Sequence, residues 1–202
     1  MKLTYSQGRS NKIHISTDGE YRLTVDADFW FSLGVYNNSE ISEEEFSELE
    51  EKITVRRAYN KGIDLLSRRA HAKKELIDKI SKTYEKKYVI IAVNALEEKG
   101  YVNDEDFAEQ YYSYLKERKH FGKKRISLEL AKKGIDKGII ATLCEADDGS
   151  AKEQIEGLLS SKYARYLSDE KGRKRAFNAL VRMGYNYGDI RNAMQNFEFY
   201  ED

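Results

Sequence analysis

Proline is absent from this 202-residue chain, where average usage of about 5% would supply roughly ten. Without the residue that removes a helix N–H and clashes with the preceding turn, long helices are permitted throughout. Cysteine is nearly absent: the lone Cys144 excludes an internal disulfide. Long hydrophobic runs are missing too. The longest, Tyr88 to Val93, has six residues against the roughly 18 of a membrane span, so no transmembrane helix is expected. Lys2 and Leu3 lead into a polar stretch with no apolar segment of about 7–15 residues, so a signal peptide is not expected and the reducing cytoplasm is the expected location. Net charge is missing as well, 35 Lys plus Arg balancing 35 Asp plus Glu.

What is present argues for a folded globular protein. Hydrophobic residues make up 40% of the chain and include 15 Tyr, 8 Phe and one Trp, enough apolar mass for a core. The balanced charge is unevenly laid out. Residues 1–60 carry 7 basic and 11 acidic side chains, residues 61–140 carry 19 and 13, and residues 141–202 carry 9 and 11. A basic middle between acidic ends suits a surface that meets a polyanion while resisting indiscriminate nucleic-acid binding.

The first forty residues alternate with period two. Ile13 and Ile15, then Tyr21, Leu23 and Val25, flank Thr17, Asp18 and Gly19, which predicts a β-hairpin over 12–26. Phe29, Trp30, Phe31 and Leu33 form an apolar cluster that should dock it, with Trp30 or Phe31 entering a small core, or a third strand should pair with it. From Ser42 the pattern becomes helical. Ser42 with Glu45 reads as a capping box, and a helix or a pair of helices should run to about Arg69. Further starts are expected at Asn103 and at Ser150 with Glu153, and stops at Gly100, Gly134 and Gly184.

A fifty-residue repeat organises this helical part. Residues 72–96, 122–146 and 172–196 align without gaps, pairing Leu76/Ile126/Ala176, Ile80/Leu130/Leu180, Ile90/Ile140/Ile190 and Val93/Leu143/Ala193. A helix should precede each segment, over 55–69, 104–119 and 151–167. The expected fold is mainly α: three tandem three-helix repeats in an elongated curved array, with a small N-terminal β-hairpin segment. Its expected divisions are 1–41 (hairpin and linker), 42–102 (acidic lead helix and repeat 1), 103–149 (repeat 2) and 150–202 (repeat 3).

No enzyme constellation stands out, and no catalytic residue, metal or cofactor is expected. His14, His71 and His120 lack the spacing of a metal site and read as surface or loop imidazoles. Cys144, at an apolar helix phase beside Leu143, reads as a buried structural thiol. Basic clusters recur instead at one phase of the repeat: Arg68, Arg69, Lys73 and Lys74; Arg118, Lys119, Lys123, Lys124 and Arg125; Lys171, Arg173, Lys174 and Arg175. These thirteen cations are the candidate site, a stripe facing a phosphate backbone or an acidic protein groove. Within the clusters only Phe121 is an interleaved aromatic, so base stacking has little support there.

Gly100-Tyr101-Val102-Asn103-Asp104-Glu105-Asp106-Phe107-Ala108, then Gly122-Lys123-Lys124-Arg125-Ile126-Ser127-Leu128-Glu129-Leu130 and Lys133-Gly134-Ile135, resemble the RecX regulatory protein family. Leu65-Leu66-Ser67-Arg68-Arg69, Glu75-Leu76, Gly184-Tyr185 and Asp189-Ile190 extend the resemblance over about residues 56–200. It implies a modulator, most often an inhibitor, of the RecA recombinase, which binds the recombinase filament on single-stranded DNA and restrains its ATPase, strand-exchange and coprotease activities. The implied partner is that filament, with a weak direct DNA contact possible, no membrane and a monomeric chain. Ala72 departs from the hydroxyl cap of many relatives at that position, and residues 1–55 have no counterpart in the shorter ones. The alternative is a helical-repeat protein that binds DNA directly through helix-turn-helix-like pairs such as 123–134 with 136–144.

Overall fold

The computed structural model describes residues 1–147 and 151–197, which form two compact units, Met1–Val102 and Asn103–Asp202. The first opens with a four-stranded antiparallel sheet, β1 (Lys2–Gln7), β2 (Lys12–Thr17), β3 (Glu20–Asp26) and β4 (Ser39–Glu40), in the order β3-β2-β1-β4. Strand alternation buries Leu3, Ile13, Ile15, Leu23 and Val25 together. Asp18 (φ 51°) and Gly19 (φ 84°) both take the left-handed conformation of the tight hairpin turn whose twist suits its strands. The hairpin stands as expected, and β1 is the strand that pairs with it. The aromatic cluster forms a short helix, α1 (Ala27–Ser32), which buries Trp30 completely against Tyr5 at 5.4 Å and leaves Phe31 58% exposed.

One continuous helix, α2 (Glu43–Leu66), follows rather than a pair, because no breaker interrupts its 24 residues. Its start is the expected capping box: Glu45 N–H donates to Ser42 Oγ at 3.1 Å, and Ser42 N–H donates to the Glu45 carboxylate at 2.8 Å. Phe46, Leu49 and Ile53 on its first half complete the sheet core, while Ala58 on its second half joins the next core with Leu76, Val89 and Leu96. The N-terminal segment and the first repeat therefore share a helix. Residue 56, where the family resemblance begins, falls inside it.

Three helices per repeat follow among the described residues. The first repeat adds α3 (Lys73–Ile80) and α4 (Lys86–Glu98) to α2. The second has α5 (Asp104–Ser113), continued by a π-helical turn over Tyr114–Arg118, then α6 (Lys123–Lys133) and α7 (Lys137–Ala146). The third has α8 (Ala151–Ser160), a 3-10 turn over Ala164–Tyr166, α9 (Glu170–Arg182) and α10 (Tyr187–Gln195). The Asn103 cap forms, accepting from Glu105 N–H at 2.9 Å. Ser150, half of the other expected cap, lies outside the described residues.

Two details differ from the sequence pattern. The first helix of repeat 3 ends at Ser160, not near 167, where the hydroxyls of Ser160 and Ser161 bond the carbonyls of Glu156 and Gly157 and compete with the helical ladder. The gapless alignment also fails in repeat 1. Ile140 and Ile190 are buried, but Ile90 is 39% exposed and Val89 takes the buried position. Helix α4 starts one residue early in the aligned frame, its N-cap being Glu85 where Asp136 and Asn186 align with residue 86, and the turn before it lacks the glycine that follows α6 and α9, Gly134 at φ 89° and Gly184 at φ 92°.

Repeats 2 and 3 meet backbone to backbone. Gly122 N–H donates to the Met183 carbonyl at 2.8 Å, and a Cβ on Gly122 would lie 2.6 Å from the Gly184 carbonyl carbon. Gly122→Ala is therefore expected to lower unfolding free energy by about 1–3 kcal/mol in urea titrations. Gly188→Ala, whose added methyl meets nothing within 4 Å, should be neutral or slightly stabilising.

Candidate functional site

The basic clusters lie where the second helix of each repeat begins. Lys73 and Lys74 open α3, Lys123, Lys124 and Arg125 open α6, and Lys171, Arg173 and Lys174 fall in the first turns of α9. Cations at a helix N-terminus oppose the macrodipole, which favours negative charge there by about 0.3–1 kcal/mol each. Helix α6 has no acidic residue in its first turn and no side-chain cap.

Five of the thirteen cations have structural partners. Arg69 donates to Glu75 at 2.7 Å and to the Ala70 carbonyl at 2.9 Å, and Lys73 lies 2.6 Å from Glu97. Lys123 donates to the carbonyls of Cys144 (2.9 Å) and Asp147, closing the end of α7. Arg125 pairs with Glu129 at 2.8 Å while stacking over Phe121, and Arg173 Nε donates to the Leu167 carbonyl at 2.7 Å. Lys119 covers the Tyr114 ring at 5.6 Å. Arg68, Lys74, Arg118, Lys124, Lys171, Lys174 and Arg175 are exposed and make no ion pair among the described residues. Of these, Lys74, Lys124 and Lys174 occupy the same phase of all three repeats.

Behind the second cluster sits a buried polar knot that local sequence gives no sign of. Asp147, 8% exposed at its side chain, accepts from Lys116 and, at 2.7 Å, from the Tyr112 hydroxyl. Burial and the adjacent carboxylate push the Tyr112 hydroxyl pKa upward. A cleft of about 190 Å³ opens beside it, lined by Lys116, Phe121, Lys123, Lys124, Tyr185 and Asp189. Tyr185 donates to the His120 carbonyl at 3.0 Å, and burial pushes its pKa up to about 12. Cys144 is half-buried, its Sγ 3.3 Å from Ser127 Oγ.

His71 corrects the expectation of a surface imidazole. It is 3% exposed, with Nδ1 bonded to the Arg69 carbonyl and Nε2 to Lys79 Nζ, each at 2.9 Å. An ammonium only donates, so Nε2 accepts and Nδ1 carries the proton. It thus fixes the turn before α3 but leaves Ala72 without a side-chain cap. Burial, with Arg69 and Lys79 nearby, lowers its pKa below the usual 6.5, although the Arg69 carbonyl and Glu75 oppose this. A depressed histidine pKa means that the unfolded chain binds the proton first. Stability should therefore hold above about pH 6.5 and fall as pH drops below it. Lowered carboxylate pKa values at Asp26 and Glu45 act only below their usual 3.8 and 4.5. Urea unfolding of the wild type at pH 7.5 and 5.5, compared with His71→Gln, should show a loss that the variant lacks.

One sequence expectation changes at the aromatic residues. Tyr111 and Tyr114 stack at 6.2 Å with an interplanar angle of 12°, Lys133 lies over Tyr111 at 5.7 Å, and Lys119 lies over Tyr114. Aromatics and cations are therefore interleaved in space although not in sequence. Among the described residues no group of three or more His, Cys, Asp or Glu is placed to hold a metal, and no helix is long and apolar enough to cross a membrane.

Residues 103–142 match the profile of the RecX second three-helix domain. The regulatory protein RecX of Caldanaerobacter subterraneus subsp. tengcongensis is 34% identical over 139 residues, covering 68% of this chain and 70% of the relative. That of Clostridium botulinum is 24% identical over 210 residues and covers 99% and 98% of the two chains. A crystal structure of regulatory protein RecX superposes with a TM-score of 0.74 at 17% identity, covering 95% of this chain and 98% of the other, a likeness of fold. RecX from Lactobacillus salivarius gives 0.62 at 25% identity, covering 72% and 97%. The relatives are named as regulatory proteins rather than as enzymes. With its motifs, its three-helix repeats and a relative matched over two thirds of both lengths, this chain belongs to the RecX regulatory protein family.

Proposed function

We propose that the protein binds a RecA-type recombinase filament on single-stranded DNA in the cytoplasm as a monomer and restrains its ATPase, strand-exchange and coprotease activities. The observation that carries this reading is the recurrence, within the first two turns of the second helix in every repeat, of an exposed lysine that makes no ion pair among the described residues: Lys74, Lys124 and Lys174. The surrounding members of the thirteen-cation site split between two jobs. Arg69, Lys73, Lys123, Arg125 and Arg173 shape the helix starts, while Arg68, Arg118, Lys119, Lys171 and Arg175 add positive field. For function, the chain reads as an N-terminal segment 1–41, a lead helix with repeat 1 over 42–102, and repeats over 103–149 and 150–202.

Restraint of this kind needs no catalytic residue. A ligand shifts a conformational equilibrium only by binding one state more tightly, and a charged surface repeated along the chain can engage repeated filament subunits in one state. The test is binding at physiological salt to assembled filament and to bare single-stranded DNA. Filament is expected to bind more tightly and with a shallower salt dependence. Equal affinities, with log affinity falling steeply in log salt for both, would instead support direct DNA binding. Lys123 disfavours a helix-turn-helix mode, since its ammonium caps the end of α7 rather than projecting from α6.

A further inference from the structure

A groove of about 610 Å³ in the Met1–Val102 unit has no part in the recombinase reading. Three elements wall it: α1 with Phe29 and Leu33, α2 with Val55 and Tyr59, and α4 with Ile91 and Ala95. Ile91 is 54% exposed and the other five are half-buried, so an apolar strip faces water. An apolar strip edged by a few charged groups marks a binding surface, and this volume falls in the range of about 300–1,000 Å³ typical of small-molecule sites.

The charges are segregated along the strip. Glu51 accepts from the Tyr88 hydroxyl at 2.7 Å and from Lys87 at 3.1 Å, which places Glu48, Glu51 and Lys52 at the end where α4 begins. Toward the other end two cations converge on one ring: Arg56 Cζ lies 5.5 Å and Lys99 Nζ 5.2 Å from the centroid of Tyr59. Lys99 is exposed, makes no ion pair among the described residues, and sits at the C-cap of α4, where the helix dipole favours a cation. Arg56 has no such local reason, since it lies in the middle of α2. Its guanidinium also covers Phe29 at 5.4 Å. Its contact with Asp26 is long, 4.0 Å from Nε, and Asp26 already accepts from Lys12 and Asn60. The Nε is buried and has no hydrogen-bond partner. A guanidinium held this way, over two rings and short of acceptors, is matched by a carboxylate.

We infer that this groove binds a single-chain carboxylate amphiphile of the medium-chain fatty acid class, its carboxylate at the Arg56 and Lys99 end and its chain lying along α4 toward Tyr88. From Tyr88 to Lys99 the helix advances about 16 Å at 1.5 Å per residue, room for an extended chain of about ten carbons. Glu48 and Glu51 repel a carboxylate from the opposite end and so set the direction of the chain. Helix α1 belongs to the N-terminal segment and α4 to the first repeat, so a bound chain touches both and stabilises their packing by linkage. The site does not rest on the filament reading.

The experiment titrates the full chain with decanoate, kept below the concentration at which it forms micelles, and follows binding by calorimetry and by the rise in melting temperature. Decanoate should bind on the order of tenfold more tightly than decylamine, which has the same chain and the opposite charge. Acetate, a carboxylate without the chain, should not compete. Arg56→Met keeps an apolar stem over Phe29 and Tyr59 and should weaken binding by on the order of tenfold, as for loss of a charge-assisted hydrogen bond. Ile91→Glu, at an exposed position, sets a charge in the path of the chain and should abolish binding with the fold intact. The inference is overturned if decylamine binds as tightly as decanoate, or if either folded variant binds decanoate like the wild type. The decylamine and Ile91→Glu arms decide the matter even where Arg56→Met fails to fold. Two other outcomes also overturn it: self-association removed by Ile91→Glu without decanoate binding, which assigns the groove to a second copy of this chain, and binding to phosphatidylglycerol vesicles alone, which assigns it to a membrane surface. Restraint of the filament by Ile91→Glu is expected to persist, so failure of this site and failure of the filament reading give different results.

Discussion

Reversing Lys74, Lys124 and Lys174 together to Glu is expected to weaken filament binding by on the order of tenfold to a hundredfold at low salt while leaving the fold intact. Each is exposed and makes no ion pair among the described residues, so each change should alter stability by no more than about 0.5 kcal/mol. Glu at 74 and 124, in the first turns of α3 and α6, would even suit the macrodipole. The loss should shrink as salt rises, because screening removes what the wild type gains from complementarity. Choosing these three positions matters. Reversing Lys123, Lys124 and Arg125 instead would strip the cap from α7 and the pair with Glu129, mixing a folding defect with a binding one. As a control, reversing Glu43, Glu44 and Glu45 to Lys should change filament binding much less, although losing the Ser42 capping box should cost some stability. Full binding by a folded Lys74, Lys124 and Lys174 variant would remove the repeated lysines from the mechanism.

Asp147→Ala is expected to lower the stability of the Asn103–Asp202 unit by about 3–5 kcal/mol. It leaves Lys116, 26% exposed, and the Tyr112 hydroxyl without their common acceptor. Since domains hold only about 5–15 kcal/mol in total, a clear drop in melting temperature should follow. Replacing both partners with apolar residues, Lys116→Met with Asp147→Leu, should recover part of the loss, because paired desolvation costs fall away together. Glu145→Ala, an exposed change two residues away, should stay within about 0.5 kcal/mol. A melting temperature for Asp147→Ala equal to wild type would show that the knot contributes nothing.

The parts of the fold legible in the sequence are those set by neighbours along the chain. Ser42 and Glu45 form their capping box because both partners lie within one turn. Ile13, Ile15, Leu23 and Val25 share a face because strand geometry alternates side chains. Strand β1 carried a weak version of the same signal in Leu3 and Tyr5, diluted by Lys2, Thr4 and Ser6. By contrast, β4 is two residues long and has no period to read. The shift of Val89 into the place expected for Ile90 comes from α4 starting one residue earlier in the aligned frame than α7 and α10, which a gapless comparison cannot register.

The candidate site was legible as a set of positions and not as a set of roles. Recurrence identified the helix starts, yet the spent and the free cations look alike in sequence. Lys123 finds its carbonyls 21 and 24 residues away, and Tyr112 finds Asp147 at 35. Lys133 reaches Tyr111 only because α6 packs beside α5. His71 illustrates the same limit: its burial depends on Lys79 and the Arg69 carbonyl converging on it, which no spacing rule anticipates.

The most direct measurement of the central claim is a titration of the full chain into recombinase assembled on single-stranded DNA, reading ATP hydrolysis. Restraint of the filament predicts a saturable fall in hydrolysis at protein concentrations well below that of recombinase, with the Lys74, Lys124 and Lys174 reversal shifting the curve to higher concentration. Hydrolysis unchanged up to excess protein, with filament still present by sedimentation, would contradict it.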